Sequence, residues 1–402
     1  MLPSCRMRAT RRSAVPDRGQ SNMTDETTSM TDWFSLADQP QEPLSPDGST
    51  LTGDDLTAWR QRFRPLQKHL KRRDVIVALS GGGMLLPCHV GALRVLELIG
   101  VPLDRIYGTS AGAIVGGLLA AGLSTAQLEE TMLDVESPDE IFGFAARFPR
   151  LRIVTREVRR VLLDLPPEES GIYDLEQVEE FVTNVIARYV GRVPTFRELK
   201  VDFSCVALDL GTGAVGEDEA PKKIVFSRET TPDVRISEAI AASMAIPGVF
   251  PPKLIGDHYY VDGGVVEQLP IGTAREEWVR KRPRFSRRKL AIVGIDLGPP
   301  GEPPSTGRLG HPMDLVMYTQ RLQGRVITEL ELIRCHNPRR RISVVLVRPA
   351  AIEIALYEIE KIPQALYVSY VETVRQLEGD GFLDVTDREI EGAREAFGIC
   401  SE

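Results

Sequence analysis

The pentapeptide Gly-Thr-Ser-Ala-Gly at residues 108–112 constrains this chain more than any other feature. It stands between a short apolar, strand-like stretch ending at Tyr107 and a small-residue run, Ala113 to Leu123, that reads as a buried helix. In a strand–turn–helix context a G-x-S-x-G sequence is a nucleophile elbow, whose glycines permit a tight, strained turn that lifts the serine hydroxyl out of the sheet. The helix beginning there turns backbone N–H groups and its positive dipole end toward the same spot. The bare pattern also arises by chance, with a plain Gly/Ser turn as the competing reading, and its flanks are what favour the elbow.

A second glycine-rich loop lies upstream. Asp74 to Leu79 is mostly β-branched and apolar, hence a buried strand. Ser80-Gly81-Gly82-Gly83 follows, and an apolar helix is expected from near Pro87 to Ile99. Three consecutive glycines leave backbone N–H groups uncovered, and a helix start adds unpaired donors, so an anion can sit there. In acyl transfer that anion is the oxyanion of a tetrahedral intermediate. A dinucleotide or phosphate cradle is the rival, but G-x-G-x-x-G would need glycine at Leu86, and no Gly-Lys-Ser/Thr follows either loop.

Three aspartates end strand-like runs: Asp209, Asp262 (before Gly263-Gly264) and Asp296. Open α/β sheets bind ligands at such ends, and each aspartate could equally cap the next turn, so position does not choose among them.

The order Ser-Gly-Gly-Gly…His-x-Gly, Gly-Thr-Ser-Ala-Gly, Ala241-Ala-Ser-Met-Ala-Ile-Pro-Gly-Val-Phe-Pro251 and Asp-Gly-Gly closely resembles the patatin-like phospholipase family over about residues 74 to 300. The resemblance implies a lipid acyl hydrolase of phospholipase A or carboxylesterase type. It maps a Ser–Asp dyad without catalytic histidine onto Ser110 and Asp262, and the oxyanion loop onto Gly81, Gly82 and Gly83. One departure stands out. Where the family carries Arg or Lys then Gly, this chain has Leu85-Leu86, removing a positive charge near the oxyanion or, alternatively, lining an acyl channel. A lipid-binding or scaffolding protein with little turnover, and an acyltransferase using the same site, are the alternatives.

The dyad makes a demand. An exposed aspartate, with a pKa near 3.9, is too weak a base at neutral pH, and burial in a dry pocket would raise it. The apolar run before Asp262 suits such a setting. A histidine base would come from His69, His89, His258, His311 or His336. His89 is nearest a motif, whereas His311 and His336 follow the acid as hydrolase triads usually have it.

Composition bounds the rest. The 402 residues can bury a large core, and the net charge of −8 argues against nucleic acid as a partner. Five scattered cysteines form no C-x-x-C pair, so neither a zinc site nor a disulfide framework is expected; Cys88 and Cys205 read as inert core thiols. This chemistry needs no cofactor and no metal. Low hydrophobicity predicts that residues 1–50 are poorly ordered, with Met23 and Met30 as alternative starts. No apolar segment follows the basic N-terminus, so a secretory signal is not expected, and no run approaches a membrane span. The expected location is cytoplasmic, soluble or peripheral. Arg147 to Arg160, interleaved with apolar residues, and Arg280 to Lys289 could draw the protein to an anionic bilayer, the competing reading being solvated surface.

Strand and helix patterns alternate, predicting a three-layer α/β/α fold around a mainly parallel sheet. A leading helix is expected within 51–73, the catalytic domain over 74–300, and C-terminal helices with one strand over 301–402 on the same domain. Ser124-Thr-Ala-Gln127 reads as a capping box. Helices are further predicted over Leu175–Tyr189, Ser237–Ala245, Asp314–Cys335 and Ala355–Leu377, and strands over Val201–Leu210, Lys223–Ser227, Leu290–Leu297 and Ser343–Val347.

Overall fold

The computed structural model describes residues 53–142, 173–212, 220–282, 287–298, 312–336, 341–350, 352, 354, 358–379 and 381–397. Residues 1–50, the arginine-rich stretch 147–160 and His311 lie outside the described residues.

Two short helices lead in, α1 (Gly53–Gln61) and α2 (Arg64–Leu70). The sequence predicts one leading helix within 51–73, where the structure has two. The chain breaks at Phe63, which leaves helical geometry while its ring is fully buried, and Pro65 in the next first turn suits a new start. After β1 (Arg73–Leu79) come α3 (Leu86–Leu98), β2 (Arg105–Gly108), α4 (Ala111–Ala121) and α5 (Thr125–Leu133). Ser124 and Gln127 close the capping box at the start of α5. The chain continues through α6 (Leu175–Tyr189), β3 (Asp202–Asp209), β4 (Lys222–Ser227), α7 (Ile236–Met244), β5 (Lys253–Ile255) and β6 (His258–Asp262). It ends with α8 (Ile271–Lys281), β7 (Lys289–Ile295), α9 (Pro312–Cys335), β8 (Ile342–Val347), α10 (Ile362–Leu377) and α11 (Gly381–Ala396).

The eight strands form one sheet in the order β5-β6-β3-β2-β1-β7-β8, with β4 paired to β3. From β3 through β8 every neighbour is parallel, whereas β4, β6 and β5 are antiparallel. Alternation along the central strands assigns side chains to two cores. Val75, Val77 and Leu79 of β1 join Ala291, Val293 and Ile295 of β7 and residues of α3, α4, α6, α7 and α10. Ile76 and Ala78 point the other way, with Leu290, Ile292, Val344 and Leu346, against residues of α8, α9 and α11. Both faces are covered, which is why these strands read as unbroken apolar runs. The result is the expected three-layer α/β/α architecture with a mainly parallel sheet.

Candidate active site

β1 ends in the glycine loop and β2 ends in the elbow. The two strands are parallel neighbours, with Leu79 registered against Gly108, so both loops emerge at one end of the sheet. Ser110 takes the strained backbone of an elbow, with φ of 53° and ψ of −120°, and immediately precedes α4. The flanking glycines are required by space. A methyl group at Gly112 would stand 2.3 Å from the Leu79 carbonyl oxygen, and one at Gly108 2.5 Å from that of Gly112.

Strand β3 brings the aspartate to the serine. Its residues Asp202 to Cys205 pair with β2, and Ala207 to Asp209 pair with β6, while β4 covers Ser204 to Asp209. Because β4 fills one edge, β2 and β6 must share the other. β6 therefore continues, antiparallel, where β2 stops at Gly108, and it ends with Asp262 opposite Ala207. Ser243 ties the junction together: its hydroxyl donates to the Val206 carbonyl at 2.7 Å and accepts the Ser110 amide at 3.0 Å.

Ser110, Asp262, Gly82 and Gly83 line one pocket with Ile246, Gly264, Val265, Gln268 and Gln320. Asp262 is buried; its Oδ1 accepts the Gly264 amide and its Oδ2 has no hydrogen-bond partner. Burial pushes its carboxyl up to about 6, offset in part by the Ser110 hydroxyl and the Gly264 amide. The Ser110 hydroxyl itself is directed at Met244 Sδ, 3.3 Å away.

The other two aspartates are committed elsewhere. Asp209 faces His258 Nδ1 at 2.9 Å and caps the Gly211 amide. Asp296 pairs with Arg348 at 3.2 Å and caps the Gly298 amide. The described histidines also lie away from the Ser110 pocket. His69 meets the Ser343 hydroxyl, and His336 Nδ1 accepts the Val344 amide. His89 is fully buried, donates from Nε2 to the Ser80 carbonyl at 2.7 Å, and is held down to about 4 by desolvation. It is a neutral strut under the glycine loop, because the Ser80 carbonyl also accepts the Gly112 amide.

Two details of the glycine loop differ from the sequence reading. The Gly81 amide donates to the Gln268 carbonyl at 3.0 Å and is not available to an oxyanion. This long-range pairing has no sequence signal. The amides of Gly82 and Gly83 meet no protein acceptor among the described residues, and Gly83 adopts a left-handed φ of 56°. Leu85 and Leu86 are 2% and 1% exposed and belong to the main core, and neither lines the pocket of Ser110 and Asp262. Sequence reasoning also missed Gln268 and Gln320. Gln268 follows the Asp-Gly-Gly turn without a signature of its own, and Gln320 arrives on α9, far along the chain.

Arg280 and Lys281 pair with Glu229, Arg288 pairs with Asp74, and Arg282 lies over the Trp278 ring, so these four cations of that basic stretch have local partners. Cys88 and Cys205 are buried free thiols. Among the described residues no helix is long and apolar enough to cross a membrane, and no group of three or more His, Cys, Asp or Glu side chains is placed to hold a metal ion.

Residues 77–275 match the family model described as patatin-like phospholipase. An uncharacterized NTE family protein of Mycobacterium tuberculosis is 30% identical over 197 residues, 49% of this chain and 44% of that protein. The lysophospholipase NTE1 of Candida albicans is 26% identical over 247 residues, 60% of this chain and 14% of that protein. The matched region thus spans less than half the length of either relative. Among solved structures, VipD from Legionella pneumophila aligns with a TM-score of 0.37 at 14% identity, over 76% of this chain and 67% of that one.

Proposed function

We propose, from the patatin-like phospholipase domain that this chain carries over residues 77–275, that it is a serine lipid acyl hydrolase working through Ser110 and Asp262. The observation that carries the reading is one pocket holding a serine on a strained elbow and a buried aspartate whose pKa is raised to about 6. A carboxylate so placed is ionised at neutral pH yet basic enough to take a hydroxyl proton.

In the first half-reaction the Ser110 hydroxyl turns from Met244 toward Asp262 Oδ2. Its oxygen bonds to the acyl carbon as its proton passes to the carboxylate, and the carbonyl electron pair moves onto oxygen facing the Gly82 and Gly83 amides. Collapse of the adduct expels the alcohol, which takes the proton from Asp262. Water then attacks the acyl-serine, Asp262 accepts a proton from it, and the acid leaves as Ser110 regains its hydrogen. Ile246 and Val265 supply apolar lining for the acyl chain beside the ester. Hydrolysis at a single serine needs no histidine here, consistent with the places of the described ones.

Ser110→Ala is expected to abolish turnover of lysophospholipid and short p-nitrophenyl esters and to abolish labelling by a fluorophosphonate probe, with an unchanged melting curve. A wild-type serine inert to the probe would favour a lipid-binding protein with the fold but no turnover. Product analysis with an added alcohol acceptor separates hydrolysis from acyl transfer.

A further inference from the structure

Three glycines on separate segments make room for one side chain. A methyl group at Gly81 would lie 2.7 Å from Gln268 Nε2, one at Gly264 2.5 Å from Gln268 Oε1, and one at Gly324 on α9 2.8 Å from Gln268 Cβ. The glycine loop, the Asp-Gly-Gly turn and α9 thus clamp the Gln268 carboxamide between them. α9 is held there by Gln323, which donates to the Val265 carbonyl at 3.2 Å. The backbone of Gln268 has already taken the Gly81 amide out of the glycine loop's donor set. Its side chain lines the pocket of Ser110 and Asp262, its nitrogen lies on the glycine-loop side, and no described protein group bonds the carboxamide.

We propose that Gln268 is a catalytic residue whose Nε2–H donates to the developing oxyanion beside the Gly82 and Gly83 amides, supplying the donor that the engaged Gly81 amide does not. The proposal rests on the hydrolase reading above. As the Ser110–carbon bond forms, the carbonyl electron pair becomes an alkoxide; a fixed carboxamide N–H then strengthens its bond more than it did to the ester carbonyl. The three-sided clamp lowers the rotamer entropy such a donor would otherwise lose.

Gln268→Met keeps the length of the side chain and removes the donor. Removing one such donor is typically worth about 100- to 1000-fold in kcat. That loss is expected with KM within about threefold. An alkyl boronic acid, which forms a tetrahedral adduct on serine, should weaken by a similar factor, while a non-reactive ether lipid binds as to wild type. A Gln268→Met enzyme within threefold of wild-type kcat, or equal weakening of boronate and ether lipid, overturns the proposal. Gln268→Leu carries the same expectations should the methionine variant not fold. Wild-type protein that hydrolyses no ester and binds no boronate would instead sink the hydrolase reading, and this inference with it.

Discussion

Asp262→Asn is expected to lose at least about 100-fold in kcat, the usual scale for a general base, and to gain stability in the same step. The gain follows from the sign of the proton linkage. The carboxyl has a folded-state pKa of about 6 against an ordinary 3.8, because burial disfavours its charge. The folded protein therefore holds this proton more tightly than the unfolded chain does. Below about pH 4 both states are protonated and the group costs nothing. As pH rises through the interval the unfolded chain releases its proton first, and above about pH 6 the buried carboxylate costs about 3 kcal/mol. Asparagine keeps an acceptor for the Gly264 amide and cannot ionise. Denaturant melts should show Asp262→Asn more stable than wild type by about that amount at pH 8, with the difference vanishing near pH 4. Wild-type kcat/KM should rise through an apparent pKa near 6 and level off above it. Equal stability of the two proteins at pH 8 would mean that the carboxylate is better solvated than its burial implies, and a full-activity Asp262→Asn would remove it from the reaction.

The sequence carries the parts that depend on local chemistry. β-branched apolar runs mark β1, β7 and β8, since strands covered on both faces need no polar side, and Ser124 with Gln127 marks the start of α5. The elbow at Ser110 is legible for the same reason, because its backbone can be built only between small residues. What depends on distant partners is not. Strand-end position alone does not distinguish Asp209, Asp262 and Asp296; in the fold His258 and Arg348 take two of them away and β6 lays the third along the edge that β2 vacates. Helix α10 begins at Ile362 rather than Ala355, with a proline in its first turn. Helix α8 follows Pro270 without a side-chain cap, so its start leaves no local mark. The donor set of the glycine loop is decided by the Gln268 carbonyl, which is far along the chain from Gly81.

Leu85→Arg puts the largest demand on the fold. From sequence, an arginine there would restore the cation the family carries and leave turnover unchanged or raised. The structure reverses the expectation. Leu85 is 2% exposed on the single 3₁₀ turn Gly83–Leu85, between the glycine loop and α3, with Met84 and Leu86 buried on either side. A guanidinium at that buried position must either lose its hydration or pull the turn outward. An uncompensated buried charge costs about 3–5 kcal/mol, a large share of the roughly 5–15 kcal/mol that holds a domain together. Leu85→Arg is thus expected to aggregate on expression or to melt far below wild type. It should lose activity on short and long acyl esters alike, because the turn that carries the Gly82 and Gly83 amides goes with it. Leu85→Met conserves volume and should cost less than about 1.5 kcal/mol and keep near wild-type turnover on both esters. A soluble Leu85→Arg protein with wild-type stability and a selective loss on long chains would place Leu85 on the path of the acyl chain instead.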